Sequence, residues 1–541
     1  VYKSQTQGNY QTFNIFTSYE KKISDHYFKV LVGQQQEVKE QESLNGFNQS
    51  LYNINQPSLS LTYGTNVAAG DGGYGWATNG TFGRINYSFK DKYLLEFNGR
   101  YMGSSFFPKD TRNHFFNAFS AGWVISNESF WKSLAGTIQT LKLRGSYGTL
   151  GDLSALLDAE NYYPYVSNLR TFSPQNTTWL FNPDGTRQPA VSPPSGLVSP
   201  TLTWAKPAML DLGVDIRFLK DFNVTFDWYK RRVTDLFGTA ATYTVTLGFN
   251  PPSPNNATVE TKGFDVSLTW NRNFGNVGVN VRATLGDYTG KVVSFNGNAS
   301  GSLDNSTWYN GKVMGEIWGF KTDGLFQSPA EIAAAPSQAS VGSVNWFPGD
   351  VRYKELNKDG KISWGNYTLS DHGDLVVIGN STPRYSYGFS TGVNWKGLDL
   401  NIFLQGVAKR DFWAGGNYFW GITSTWQSTA LTTLYDRWTP TNPGGYFPKL
   451  YLNGDSKNQN ASDRYLINAA YLRLKNVQLG YSLPEKLLRK AHISRCRFYI
   501  SGENLLTMSP ALKHQFVDPE LLRSDSKIYP LQPSFSAGLN I

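Results

Sequence analysis

The chain has 541 residues, and its 50 lysines and arginines against 41 aspartates and glutamates give a formal net charge of +9. A single soluble core stops growing at ~250–300 residues, yet no linkers divide this chain into domains. The basic residues are not clustered, which excludes a nucleic-acid patch. They form either a scattered solvated surface or a rim that faces anionic lipid or lipopolysaccharide.

The residue types favour β structure and exclude several kinds of site. The chain has 52 glycines, 34 phenylalanines and 31 tyrosines but only 4 methionines. Its single cysteine, Cys496, excludes an intrachain disulfide framework and a cysteine-based zinc site. There is no paired-histidine motif and no general base at a suggestive spacing from a serine, so the sequence predicts no catalytic site and no enzyme. An outer-membrane hydrolase would need such a site.

Membrane-crossing strands remain compatible with the sequence. No apolar run reaches the ~18 residues of a transmembrane helix. Barrel strands alternate, however, and give only a weak hydropathy signal. The chain begins at Val1, without Met or a signal peptide, and we therefore expect it to be a piece of a longer protein.

Apolar and polar residues alternate in segments of about ten along the chain, which is typical of strands. Between Tyr385 and Trp395, for example, aromatic and aliphatic residues alternate with serine, glycine and asparagine. The phase shifts before Asn476, which predicts either a bulge within residues 471–483 or passage of the strand out of the hydrocarbon band. The pattern predicts about fifteen strands, near residues 9–19, 25–35, 80–89, 93–106, 114–126, 139–150, 200–218, 221–236, 259–272, 276–294, 383–396, 398–412, 464–484, 494–507 and 532–541.

The lengths of the connections favour a membrane barrel over a soluble sandwich. Short turns are predicted near residues 20–24, 90–92, 219–221, 272–276 and 396–397. Long polar loops alternate with them at about 38–79, 152–199, 237–258, 295–382, 413–463 and 509–531. Outer-membrane barrels have short periplasmic turns and long extracellular loops, whereas a sandwich has no reason to sort them. An odd strand count cannot close a bacterial single-chain barrel, so we expect further strands upstream.

Eleven stretches of the sequence resemble, in the same order, the C-terminal half to two-thirds of SusC/RagA-like TonB-dependent transporters of Bacteroidetes outer membranes. They are residues 83–107, 119–131, 141–152, 202–221, 259–270, 319–332, 347–362, 377–406, 436–443, 471–484 and 501–510. Among them are FSAGWVISNESFW, LKLRGSYGTLGD and SGENLLTMSP. Each stretch alone is a weak signal, and their common order is what makes the resemblance specific.

The resemblance implies an all-β fold, a transmembrane antiparallel barrel of about 22 strands filled by an N-terminal plug. Residues 1–541 would be the C-terminal part of that barrel, while the plug, the TonB box and the first strands would lie upstream. The chain ends at Ile541, where the family usually has an aromatic residue. Either a few residues are missing or the ending differs.

The same resemblance implies import of oligosaccharides or oligopeptides across the bacterial outer membrane. The expected partners are TonB, a SusD-like surface lipoprotein and outer-membrane lipid or lipopolysaccharide. Two alternatives stay open from the sequence. One is a passive porin with an open lumen, and the other is a structural or docking subunit of a larger outer-membrane complex.

Four arginines on the polar phase of their strands are expected to face the lumen and to hold the plug through charge-assisted hydrogen bonds. They are Arg100, Arg144, Arg217 and Arg282. Direct steering of substrate is the alternative role.

A loop between residues 413 and 426 concentrates aromatic rings that suit sugar rings or apolar peptide side chains. The candidate substrate-binding residues are Trp413, Tyr418, Trp420 and Trp426. The same rings would also suit contact with a partner, a membrane-interface girdle or packing within the loop. A weaker cluster contains Trp308, Tyr309 and Trp318.

One loop has the spacing of a calcium site, with oxygen-bearing side chains at alternate positions before Gly360. The candidate ligands are Glu355, Asn357 and Asp359. The pattern departs from a calcium loop because Asn366 occupies the twelfth position, where a bidentate glutamate belongs. Asp371 or Asp374 could supply a late ligand, and a turn whose side chains bond their own backbone is the alternative. No other cofactor is expected.

Overall fold

The computed structural model describes the chain except for residues 159–161, 167–169, 173–189, 193–197, 200, 239–253, 305–306, 422–431, 452–455, 490–491, 514–517, 523–528 and 530. None of the helices in the described part has the length and apolar character needed to cross a membrane.

Fifteen strands form one antiparallel sheet in which each strand pairs with its neighbours along the chain. They are β1 (Tyr2–Ile23), β2 (His26–Asn48), β3 (Val67–Phe89), β4 (Tyr93–Ser104), β5 (Asn113–Val124), β6 (Ile138–Thr149), β9 (Lys206–Phe218), β10 (Phe222–Phe237), β11 (Asn255–Phe274), β12 (Val277–Phe295), β17 (Arg384–Trp395), β18 (Leu398–Lys409), β21 (Tyr471–Ser482), β22 (Arg497–Met508) and β23 (Ser534–Asn540). The predicted number of strands is confirmed.

The connections contain shorter elements. The small strands are β7 (Arg170–Phe172), β8 (Ala190–Ser192), β13 (Glu316–Phe320), β14 (Thr322–Leu325), β15 (Val351–Tyr353), β16 (Leu375–Asn380), β19 (Asp411–Trp413) and β20 (Leu466–Asn468). The α-helices are α1 (Ser154–Asp158), α2 (Pro329–Ala334), α3 (Asn417–Trp420) and α4 (Glu485–Leu488). Single 3-10 turns occupy Leu59–Leu61, Ile125–Asn127, Ser129–Ser133, Ala339–Val341, Thr432–Asp436, Ser456–Asn458, Asp463–Tyr465 and Pro510–Leu512.

The sheet has one apolar and one polar face because paired residues point the same way. Val277, Trp395, Leu398 and Tyr481 are successive register partners across the four neighbouring strands β12, β17, β18 and β21. Many such side chains are exposed, among them Phe274, Trp395 and Phe498. We call this apolar side the outer face and the polar side the inner face. An apolar face of this extent is covered by lipid in an outer-membrane barrel.

Short and long connections alternate along most of the sheet, as the sequence predicts. The exceptions are three connections of intermediate length: residues 125–137 and 483–496 on the short-turn edge, and residues 105–112 on the opposite edge. The turns after Ile23, Phe218, Phe274 and Trp395 contain only two or three residues. Several of these turns need a left-handed backbone, which Gly275 and Gly397 adopt without strain. All short turns therefore lie along one edge of the sheet, and the long loops lie along the opposite edge. Strands β1 and β23 are the two ends of the sheet.

The predicted loop at residues 38–79 is wrong in its bounds, because most of it is strand. Strand β2 continues to Asn48, and β3 already begins at Val67. Each has 23 residues, about twice the 9–11 needed to cross a membrane. Their far halves project from the long-loop edge into water, where no apolar alternation is required. The polar and glycine-rich sequence there concealed the strands.

Two further predicted loops contain ordered structure. We call the described residues within 296–383 and 410–470 the loop layer. In this layer β13 pairs with β16, β14 with β15 and β19 with β20. A shared apolar core holds them together, including Phe320, Ile362, Phe447 and Tyr465. The long loops are therefore folded against one another at the barrel mouth.

The predicted bulge is present in β21. Leu404 pairs with Leu474 and Phe403 pairs with Asn476, so Lys475 has no partner in the register with β18. The register with β22 shifts at the same place. An extra residue reverses the facing of the side chains beyond it.

Candidate functional site

The inner face contains an open cavity of about 670 Å³ on β2–β6 and β9, lined by charged, polar and apolar residues. Register places the polar residues of these strands side by side, because every second residue points inward. Charges of both signs line the cavity, namely Lys29, Arg84, Glu96, Lys142, Arg144 and Asp211. Such a wall suits hydrogen bonding to a polar occupant rather than burial of an apolar ligand.

Arg144 is held within the wall by three carboxylates. Its guanidinium nitrogens lie 3.4 Å from Asp211, 3.3 Å from Asp215 and 2.5 Å from Asp227. Gly213 makes room for this group, since a Cβ there would lie 2.5 Å from the Arg144 Cζ atom. The guanidinium is therefore already engaged by the barrel's own strands.

The other three candidate arginines lie apart from Arg144. Arg100 donates to Gln35 Oε1 at 2.7 Å and covers the ring of Phe82 at 5.9 Å. Arg217 donates to the carbonyl of Lys220 at 3.2 Å, at a short turn. Arg282 is exposed on β12. The four do not form one site, and contact with a plug stays a prediction for each.

Three inner-face ion pairs were not among the predicted site residues. Arg384 forms two hydrogen bonds of 2.5 Å to Asp287, and Arg497 donates to both oxygens of Asp399 at 2.9 and 2.5 Å. Each residue follows the polar phase of its strand, which is a signal the sequence contains. The partners are 97 and 98 positions apart, however, so only the register brings them together.

The third pairing ties the β22–β23 connection to the wall. Arg473 donates to Asp518 at 2.8 Å and to Glu520 at 2.6 Å. Lys475, the bulged residue, reaches the same Glu520 at 2.9 Å. Arg473 and Lys475 therefore both hold the segment that contains Asp518 and Glu520.

The aromatic candidates lie mainly inside the loop layer. Trp420 is only 4% exposed, and its ring is 5.0 Å from that of Tyr465 and 6.2 Å from that of Trp413. Trp413 is partly buried against the same core. The side chain of Tyr418 and the whole of Trp426 lie outside the described residues. The position of the two described tryptophans favours packing within the loop over direct contact with substrate.

The weaker aromatic cluster of Trp308, Tyr309 and Trp318 is also packed against other residues rather than exposed. Trp318 Nε1 donates to the hydroxyl of Tyr309 at 3.1 Å and to Glu316 at 3.0 Å. Trp308 lies edge-on to Phe295, with 5.9 Å between the ring centroids. These rings join the loop layer to the end of β12.

A buried ion pair fixes the centre of the loop layer. Asp350 and Lys457 lie 2.9 Å apart, and their side chains are 0% and 1% exposed. Tyr451 and Asn458 also donate to Asp350, at 2.8 and 2.9 Å. Nearby phenols are kept protonated, since burial raises the pKa of Tyr446 to about 12 and that of Tyr465 above its usual range. The layer is a rigid structural core.

The oxygens of the predicted calcium loop bond to their own backbone. Glu355 accepts from the amide of Gly360 at 2.8 Å, and Asp359 accepts from that of Lys361 at 3.0 Å. Asn357 accepts from the amide of Asp359 at 3.2 Å. In the part of the chain that the structure describes, no three His, Cys, Asp or Glu side chains form a group that could hold a metal. This geometry favours the turn, and the calcium site stays a prediction.

Comparison with known proteins adds relatives for the whole length of the chain. No family model matches it. TonB-dependent receptor P26 of Formosa agariphila is 29% identical over 81% of this chain and 42% of its own length. SusC of Bacteroides thetaiotaomicron is 25% identical over 99% of this chain and 50% of its own. The chain thus spans about half the length of the curated relatives it matches.

The fold is also that of a solved structure. The RagAB peptide transporter superposes with a TM-score of 0.79, at 21% sequence identity, over 99% of this chain and 56% of the other. The resemblance to SusC/RagA-like TonB-dependent transporters is confirmed. The sheet is accordingly the wall of a transmembrane β-barrel that crosses the bacterial outer membrane many times, and the relatives named above are receptors and transporters.

Proposed function

We propose that this chain is the C-terminal barrel part of an energised importer, not of an enzyme. Ligand would be captured at the cell surface, a plug driven by TonB would move, and ligand would be released into the periplasm. The observation that supports this most is the likeness of the 15-stranded sheet to the RagAB peptide transporter across 99% of the chain. The substrate class is an oligosaccharide or an oligopeptide.

The polar inner face supports import through a filled rather than an open lumen. The outer edges of β1 and β23, the two ends of the described sheet, cannot face lipid, because their backbone groups would remain unsatisfied there. We propose that upstream strands close the barrel and that an upstream plug fills it. The charges around the inner cavity would then bond to the plug.

The loop layer supports a docked surface partner. It presents a rigid surface at the barrel mouth, on the side where outer-membrane barrels face the exterior. A SusD-like lipoprotein seated there would close the mouth over captured ligand. TonB would act from the periplasmic side, where the short turns lie.

Growth of a strain that lacks the full-length gene tests the importer. The strain is grown on a panel of single glycans and peptides as nutrient. We expect it to lose growth on one class, glycans or peptides, and to recover that growth when the intact gene is returned. Recovery should fail when the TonB box is removed. Unchanged growth on every substrate would contradict import.

The two alternatives give different results in the same strain. A passive porin would restore growth without the TonB box. A docking subunit would leave growth unchanged, and affinity purification of the full-length protein would then yield other constant partners instead of one SusD-like lipoprotein at equal stoichiometry.

A further inference from the structure

Cations lie over aromatic rings at three separate points of the short-turn edge. Lys90 lies 5.3 Å from the ring centroid of Phe89, Arg272 lies 5.2 Å from that of Phe274, and Lys396 lies 5.6 Å from that of Trp395. All three rings belong to the outer face, where their register partners on neighbouring strands are also apolar or aromatic. The edge therefore combines apolar rings with positive charge where lipid headgroups lie.

Two of these pairs are neighbours on the sheet. Phe274 pairs with Val277 of β12, and Val277 pairs with Trp395 of β17. Only one strand separates the two rings, so the rings are about 10 Å apart by strand spacing. Each cation lies within 5.2 or 5.6 Å of its own ring centroid. Both side chains are long enough to reach one anionic group between them.

The rings beside these cations are accessible. Phe274 is 52% exposed and Trp395 is 47% exposed. Trp270 extends the row, with its ring 6.1 Å from Phe274 and 6.0 Å from Phe222. This row offers acyl chains an apolar surface directly beside the charges.

The local charge is positive. Arg272 lies 3.6 Å from Asp221, which offsets part of its charge, but its side chain is 55% exposed and its other guanidinium N–H groups can donate to an anion. Lys220, in the same turn as Asp221, and Lys396 remain as additional cations. At the first pair, by contrast, Asp25 lies 3.4 Å from Lys90 and balances it. The pairs of Arg272 and Lys396, with Lys220 on the adjacent turn, therefore keep an excess of positive charge.

We propose that this patch binds the headgroup of an anionic phospholipid in the periplasmic leaflet. The patch consists of Trp270, Arg272, Phe274, Val277, Trp395 and Lys396. Lys396 and Arg272 bind the phosphate from either side of β12, and the rings pack against the first methylenes of the acyl chains. The site anchors this sector of the barrel at a fixed depth in the inner leaflet.

Native mass spectrometry of the full-length protein in detergent tests the site. Phosphatidylglycerol, phosphatidylcholine and inorganic phosphate are titrated separately, and bound molecules are counted. We expect selective binding of phosphatidylglycerol, weakened about fivefold by each of Arg272→Gln and Lys396→Gln, as expected for a basic residue near an anionic lipid surface. Inorganic phosphate should not displace the lipid.

The matched control is Arg489→Gln, a cation of the same membrane side that is 80% exposed. It should leave lipid binding unchanged. Barrel folding of each variant is verified by its electrophoretic mobility in detergent without heating, because a folded barrel migrates differently from the heated, unfolded chain. Lys396→Gln alone carries the test if Arg272→Gln does not fold. Equal binding of the two lipids, unchanged affinity in Lys396→Gln, or full displacement by phosphate would overturn the proposal.

The inference requires the strands to lie in the membrane with the short turns in the periplasm, but it does not require transport. Failure of the growth experiment therefore leaves it intact. Failure of lipid selectivity, in turn, leaves import unaffected.

Discussion

At the scale of single residues, charges separate into those that are buried with a partner and those that remain in water. The side chains of Asp350 and Lys457 are almost completely buried in the loop layer. Lys354, by contrast, lies 3.8 Å from Asp323 with about half of each side chain exposed. Water screens the second pair, whereas loss of one member of the first leaves a buried, uncompensated charge.

We expect Lys457→Met to lower the free energy of opening of the loop layer by about 3–5 kcal/mol, because Asp350 loses its ammonium partner. Lys354→Met should change it by less than about 1 kcal/mol. Hydrogen exchange of the amides around Val351 and Asn458, followed by mass spectrometry, measures both. Equal exchange in the two variants would show that the buried pair does not hold the layer.

At the scale of strands, tyrosines on one strand pack into spaces left by glycines on the next. Tyr229 pairs in register with Gly263, and Tyr499 pairs with Gly538. A Cβ at Gly263 would lie 2.5 Å from the Tyr229 hydroxyl and 2.6 Å from the carbonyl of Asp287. These contacts fix which residues face each other, because a register slip would place the ring against a larger side chain.

Gly263→Ala should therefore destabilise the barrel by about 1–3 kcal/mol, the range of overpacking a filled site. Gly83→Ala is the control, since its nearest neighbour would be the Leu31 carbonyl at an ordinary 3.4 Å. The midpoint of urea-induced unfolding in detergent, followed by tryptophan fluorescence, compares the variants. If both midpoints equal that of the unmodified protein, the glycine does not provide necessary space.

At the scale of the whole molecule, the arginines of the inner face divide into those that the wall itself engages and those that remain exposed. Arg144 is engaged by three aspartates of β9 and β10, whereas Arg282 is exposed on β12. The first arginine therefore contributes to the stability of the wall. The second is available for an occupant of the lumen.

We expect Arg144→Met in the full-length protein to lower barrel stability, because three carboxylates then repel one another without their cation. Arg282→Met should leave stability unchanged but loosen the plug, and cells should become more sensitive to a large antibiotic such as vancomycin. Urea unfolding and antibiotic sensitivity are measured for both variants. Increased sensitivity in neither variant would show that these arginines do not retain a plug.

The sequence alone determined the strands that cross the membrane and the alternation of short and long connections. Both follow from local physics, since lipid requires an apolar residue at every second position and tight turns require particular residue types. It could not show that β2 and β3 continue beyond the membrane, because in water the alternation disappears. The bulge before Asn476 could be predicted because the alternation of apolar and polar residues is interrupted there.

Only the tertiary structure decided which side chains meet. Trp420 lies in a segment of the sequence that is rich in aromatic residues. Its ring faces the core because it packs against Tyr465, which is distant along the chain. Asp350 and Lys457 are likewise far apart along the chain and meet only when two long loops fold together. Alternation fixes the face on which a side chain lies, whereas its partner depends on register and loop packing, which local sequence does not encode.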